Sequence, residues 1–132
     1  MQAAAMANQS VRTTSWTGRT LSTVVVLFML FDGTIHVLKP APVVESFAQL
    51  GFPLRVAVGL GIVEIACTAL YAIPRTAALG ALLLTAYLGG AVATQVRAGA
   101  GWFPTIFPVL LGAILWAGLA LRDARIRNLI VS

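Results

Sequence analysis

Residues 76–96 read TAALGALLLTAYLGGAVATQV, twenty-one positions without a single charged side chain. As a helix this run is about 32 Å long at 1.5 Å per residue. The hydrocarbon core of a bilayer is about 30 Å thick and needs about 20 mainly apolar residues to cross it. Working outward, three more segments meet the same test: 53–73, 103–121 and 19–38. The last contains Asp32 and His36, and also eleven Leu, Ile, Val or Phe residues between Leu21 and Leu38. Those contribute about −3 to −7 kcal/mol to insertion, against about +3 kcal/mol for a central Asp. Asp32 lies off centre, which lowers its cost, so the segment is expected to insert.

Four spans occupy most of the 132 residues. The predicted fold class is therefore all-α, a membrane four-helix bundle, with no soluble domain hidden in it. The expected organisation is a cytoplasmic tail over 1–17, one transmembrane domain over 18–121 and a basic cytoplasmic tail over 122–132. Composition agrees, with 59% hydrophobic and 10% charged residues where soluble domains average about 25% charged. One Cys excludes an internal disulfide, a CxxC redox centre and a Cys-based zinc cage. The net charge of +5 does not point to nucleic acid, because the basic residues punctuate apolar runs instead of forming one patch.

Pro40, Pro42, Pro53 and Pro74 fall between spans or at their edges, and Pro104 and Pro108 in the first turns of the fourth. Proline is tolerated there and disruptive in a helix interior. Residues 1–17 lack an apolar signal-peptide core, so the first span is expected to act as its own insertion signal. An even number of spans puts both termini on one side, with Arg12, Arg19, Arg75, Arg122, Arg125 and Arg127; Lys39, Arg55 and Arg97 lie opposite. The positive-inside rule then predicts cytoplasmic termini for this multi-pass membrane protein. Trp16, Trp102 and Trp116 lie within a few residues of span ends, as in aromatic belts.

The connection KPAPVVESFAQLGF, residues 39–52, carries Val43, Val44, Phe47 and Leu50 at helical spacing, with Glu45, Ser46 and Gln49 elsewhere on the wheel. Pro42 can open such a helix and Gly51 can close it. A short interfacial helix is expected between the first two spans, either a connector or a lid over a pocket. Because lipid gives helices no hydrophobic reason to associate, small residues must allow close packing. Gly59, Gly61, Ala86, Gly89, Gly90 and Gly112 are the expected packing positions.

Ionisable groups inside spans are costly and face the protein interior or a cavity. Asp32 and His36 are four apart and share a helix face. Glu64 and Tyr87 sit at similar depths near the middles of their spans, which allows a hydrogen bond. Arg97 is placed to reach back towards Asp32. These five residues form the candidate intramembrane pocket. Three readings stay open: a structural polar cluster, the polar wall of a pocket for a hydrophobic ligand with a polar head such as a quinone, and a metal site or proton path. One His without a Cys partner, at a depth different from Glu64, argues for no metal. Cys67 reads as a small buried filler.

The runs IPRTAALGALLLTAYLGGAVATQVR (73–97), FDGTIHVLKP (31–40), GIVEIACTALYAIPRT (61–76) and LWAGLALRDARIR (115–127) resemble the DoxX-like family of small bacterial membrane proteins. The resemblance spans about residues 16–127 and implies a four-helix membrane bundle. The motif positions that carry over are Asp32, Gly33, Glu64, Pro74, Arg75, Thr76, Tyr87, Gly89, Gly90 and Arg97. His36 departs from the pattern, since relatives often have Lys there. The family takes its name from a subunit associated with a thiosulfate:quinone oxidoreductase, and other relatives are linked to membrane redox complexes or to assembly of partner proteins.

The resulting expectation is a non-catalytic subunit or quinone-like ligand-binding module of a membrane redox system, with no covalently bound cofactor and no established catalytic residue. Its partners would be the lipid bilayer, redox subunits or further copies of itself, and not nucleic acid. A stand-alone enzyme on a lipid-soluble substrate and a membrane assembly factor are the alternatives. One His and one Cys cannot supply a haem-ligand His pair or the Cys set of an iron–sulfur cluster.

Overall fold

A computed structural model describes residues 1–131; Ser132, the last residue of the expected C-terminal tail, lies outside the described residues. Six helices follow one another: α1 (Gln2–Leu38), α2 (Ala41–Leu50), α3 (Arg55–Ala72), α4 (Ala77–Arg97), α5 (Trp102–Arg122) and α6 (Ala124–Val131). No strand occurs among the described residues. Four of the helices, α1, α3, α4 and α5, are long and apolar enough to cross a membrane. In each, only 22–33% of the most apolar window is buried inside the protein. The remainder, including Leu27, Ile62, Leu82 and Leu110, presents large apolar side chains outward. Such surfaces around the whole bundle are compatible with lipid and not with water.

Helix α1 packs against α3 and α5, and α4 packs against the same two. The core between them is built from Val25, Met29, Tyr71, Ala81, Leu84, Leu115 and Leu119, with Cys67 among them as a buried filler. At one end Gly18 of α1 meets Gly118 and Leu121 of α5. A Cβ on Gly18 would stand 2.7 Å from the Leu121 carbonyl carbon and 2.9 Å from the Gly118 oxygen. No other residue fits without parting the helices.

Residues 2–17 of the expected N-terminal tail form the first part of α1, which runs unbroken for 37 residues. No Gly or Pro interrupts it before Gly18. The hydroxyls of Thr13, Thr14 and Thr17 donate to carbonyls four residues back, so these side chains fold onto the helix instead of breaking it. The helix stops at Lys39, which turns left-handed (φ 55°) and donates its N–H to the Ile35 carbonyl, before Pro40, which has no N–H to give.

Helix α2 is the short helix expected between the first two spans. Pro42 lies in its first turn and Gly51 (φ 77°) closes it. It buries Val43 and Phe47 against Ala57, Ile35, Val56 and Leu60, leaving Glu45 and Gln49 exposed.

The basic tail expected over 122–132 is also structured. Arg122 ends α5, and Asp123 interrupts the helix and accepts the Arg125 backbone N–H at 2.9 Å, as an N-cap does. Arg127 then reaches back to the Ala120 and Leu121 carbonyls at 3.3 and 3.4 Å, two of the acceptors that a helix end leaves without partners.

Candidate functional site

The close approach of α1 and α3 decides where the polar side chains meet. Gly33 and Gly61 face each other: a Cβ on Gly61 would stand 2.6 Å from the Gly33 oxygen and 3.1 Å from the His36 Cβ. One turn from Gly33 is His36, and one turn from Gly61 is Glu64. The crossing therefore brings His36 and Glu64 onto one level, whereas counting from span ends placed them at different depths. The His36 Nδ1 lies 3.8 Å from the Glu64 Oε2 and 3.6 Å from the Asp32 Oδ2. It donates to the Asp32 backbone carbonyl at 2.7 Å, which requires a proton on Nδ1. One ligating atom from each of Asp32, His36 and Glu64 can be chosen so that all three lie within 4.8 Å of one another.

Glu64 is fully buried. Its Oε2 accepts the Tyr87 hydroxyl at 2.9 Å, the bond that equal depth predicted. Its Oε1 has no hydrogen-bond partner among the described residues, a costly condition for a buried oxygen.

These groups form one wall of a cavity of about 570 Å³ between α1, α3, α4 and α5, with α2 along one side. Ser46, Phe47 and Leu50 of α2 line it, so this connecting helix is part of the cavity wall. Five of the six phenylalanines also line it: Phe28, Phe47, Phe52, Phe103 and Phe107. Phe28 and Phe107 meet edge to face with centroids 5.3 Å apart. The Phe47 ring meets the His36 imidazole in the same way at 5.6 Å. Exposed Gly90, Phe103 and Pro104 belong to the lining, so the cavity opens between α4 and α5 towards the lipid-facing surface. The aromatic lining was not anticipated. Phe103 and Phe107, four apart at the start of α5, were the signal available for it.

Asp32, His36, Glu64 and Tyr87 line the cavity, but Arg97 does not. Its guanidinium donates to the Leu50 carbonyl at 2.6 Å and lies 6.0 Å from the centre of the Phe52 ring. It ties the end of α2 to α4 and does not reach Asp32, because Leu50 offers a nearer acceptor at the end of a short helix.

The packing glycines also sort differently. Gly61 sits in the α1–α3 crossing, and a Cβ on Gly112 would only touch Leu88 at 3.9 Å. A Cβ on Gly59, Gly89 or Gly90 would meet nothing within 4 Å, so these three pack against no helix. Ala86, Gly90 and Thr94, four apart along α4, are cavity wall.

Four membrane-length helices around a cavity with an aromatic lining and one polar wall define a small multi-pass membrane protein. The chain belongs to the DoxX-like family, whose profile matches residues 20–118. No curated protein matches it, and no solved structure does.

Proposed function

We propose that this protein is a non-catalytic binding module for a lipid-soluble molecule with a flat, oxygen-bearing head of the quinone class, serving a redox system of the bacterial inner membrane. The cavity carries this reading. Its volume falls within the range of about 300–1,000 Å³ typical of small-molecule sites. Five phenylalanines offer faces and edges to a ring, and the opening between α4 and α5 lets an apolar tail stay in lipid. Asp32, His36, Glu64 and Tyr87 place polar groups at one wall, where the oxygen-bearing head would lie. The redox setting follows the resemblance to a family named for a partner of a quinone-linked enzyme.

The test is a titration of the purified protein in mild detergent with a short-tailed benzoquinone, read by quenching of tryptophan fluorescence. Saturable binding of one quinone per chain is expected. Quenching that rises without saturation, as in protein-free micelles doped with a tryptophan ester, would defeat the reading.

The same proposal places both termini in the cytoplasm. The structure puts Gly18, Tyr71 and Arg122 together at one end of the bundle, and α2 and Arg97 at the other. The first end carries the larger share of arginine, which favours the cytoplasmic side. Reporter fusions at Gly99 and at the C-terminus are expected to report opposite sides of the membrane, with the C-terminus inside. The same side for both would remove the topology.

A further inference from the structure

We infer that Asp32, His36 and Glu64 form a binding site for one divalent transition-metal ion at the polar wall of the cavity. The chain has only four acidic side chains and one histidine. Two of the acids and the histidine converge from α1 and α3 inside an otherwise apolar bundle. Placing ionisable groups at membrane depth is costly, and those that persist there are paired with one another or serve a ligand.

Pairing within the protein leaves this group incomplete. The Glu64 Oε1 is fully enclosed and has no partner among the described residues, although its sister oxygen is bonded by Tyr87. A cation held by the carboxylates and the imidazole would give that oxygen a partner if the Glu64 carboxylate binds through both oxygens.

The spacing suits an ion. Donors held about 2.1 Å from a tetrahedral cation lie about 3.4 Å from each other. The His36 Nδ1 stands 3.6 Å from the Asp32 Oδ2 and 3.8 Å from the Glu64 Oε2. All three ligating atoms lie within 4.8 Å of one another, so side-chain rotations would draw the widest pair in by at most about 1.4 Å around an ion. Coordination through Nδ1 moves the ring proton to Nε2. The Asp32 carbonyl loses that hydrogen bond but keeps its place in the α1 backbone ladder.

One imidazole and two carboxylates are a borderline donor set that favours zinc, cobalt, iron(II) or manganese over magnesium, which prefers oxygen ligands alone and keeps much of its water. Three protein donors leave a coordination position free towards the cavity. The site does not depend on the quinone reading, because it is defined by the protein's own donors.

The test titrates metal-stripped protein in mild detergent with Co²⁺ alone, without quinone, and follows visible d–d absorption. One Co²⁺ per chain is expected, displaced by Zn²⁺ and not by Mg²⁺. His36→Gln and Glu64→Gln should each weaken binding by at least about tenfold, with the melting temperature followed in parallel. Glu45→Gln and Asp123→Asn, which remove the other two acids, should bind as the wild type does. A wild type with no stoichiometric Co²⁺ spectrum overturns the site. So does a spectrum that survives both His36→Gln and Glu64→Gln. Quinone titration of the same metal-free preparation separates the failure of this site from the failure of the ligand reading.

Discussion

Tyr71→Ala is expected to destabilise the bundle by about 2–3 kcal/mol, the largest stability loss foreseen for a single substitution in this chain. Tyr71 is the largest of the fully buried side chains. Its hydroxyl donates to the Leu115 carbonyl at 2.7 Å and lies 3.0 Å from the Ser22 Oγ. Arg122 donates to the Tyr71 backbone carbonyl at 2.7 Å, and its guanidinium lies 4.7 Å from the centre of the ring. Tyr71 of α3 thus touches α1 through Ser22 and α5 through Leu115 and Arg122.

In a soluble core, truncating a large aromatic to Ala costs about 3–5 kcal/mol through transfer and cavity effects together. Here the transfer part shrinks, because the alternative to the bundle is lipid and not water. The void part remains, and Ser22 and the Leu115 carbonyl lose a partner where no water can replace it. Tyr71→Phe separates the two contributions: the ring stays and only the hydrogen bonds go, at about 1 kcal/mol. Unfolding in mixed detergent and sodium dodecyl sulfate measures both. A Tyr71→Ala loss no larger than that of Tyr71→Phe would show that packing around the ring contributes nothing.

Much of the architecture was legible because it rests on local rules. Span lengths follow from bilayer thickness, and α2 follows from the spacing of Val43 and Phe47 between Pro42 and Gly51. The Tyr87–Glu64 bond needed only similar positions along two helices. Relative shifts between helices were not legible. The stagger of α1 against α3 is fixed where Gly33 meets Gly61, and no count from span ends contains it. That stagger made His36 and Glu64 neighbours and undid the argument against a shared ion.

The small-residue stripe of α4 failed for a related reason. A row of Ala86, Gly90 and Thr94 permits close packing but does not require it, and here it borders a cavity. Gly18 and Gly118, which do bring backbones together, stood out less because each lies near a span end. Gly18 with Ser22 one turn on was the available sign, since small residues four apart mark close crossings in membranes. The helical start of the chain does not show in a pattern of insertion, because residues 1–17 are too polar to insert. Alanines at positions 3, 4, 5 and 7 favour a helix in water as well.

Gly90→Phe is expected to weaken quinone binding by at least about thirtyfold, a loss of about 2 kcal/mol, while leaving the bundle as stable as the wild type. Gly90 lines the cavity near its opening, one turn from Tyr87. A Cβ built there meets no atom within 4 Å, so the first side-chain atom displaces no neighbour. Overpacking penalties arise where a core is already filled, and this position borders empty volume. The phenyl ring enters the space that a quinone ring would occupy between Phe28, Phe103 and Phe107. It would also meet the aromatic side chains there and help to hold the void closed, which is why no stability loss is foreseen. Ala86→Phe, one turn away on the same wall, should act in the same direction. Removing the polar contacts instead, by Tyr87→Phe, should cost far less, because the apolar surface of the cavity carries most of the affinity for a ligand that is itself largely apolar. Fluorescence titration beside a thermal melt checks the pair of statements. Wild-type affinity in Gly90→Phe with an unchanged melt would place the quinone elsewhere on the protein. The cavity would then remain as the mouth of the proposed metal site alone.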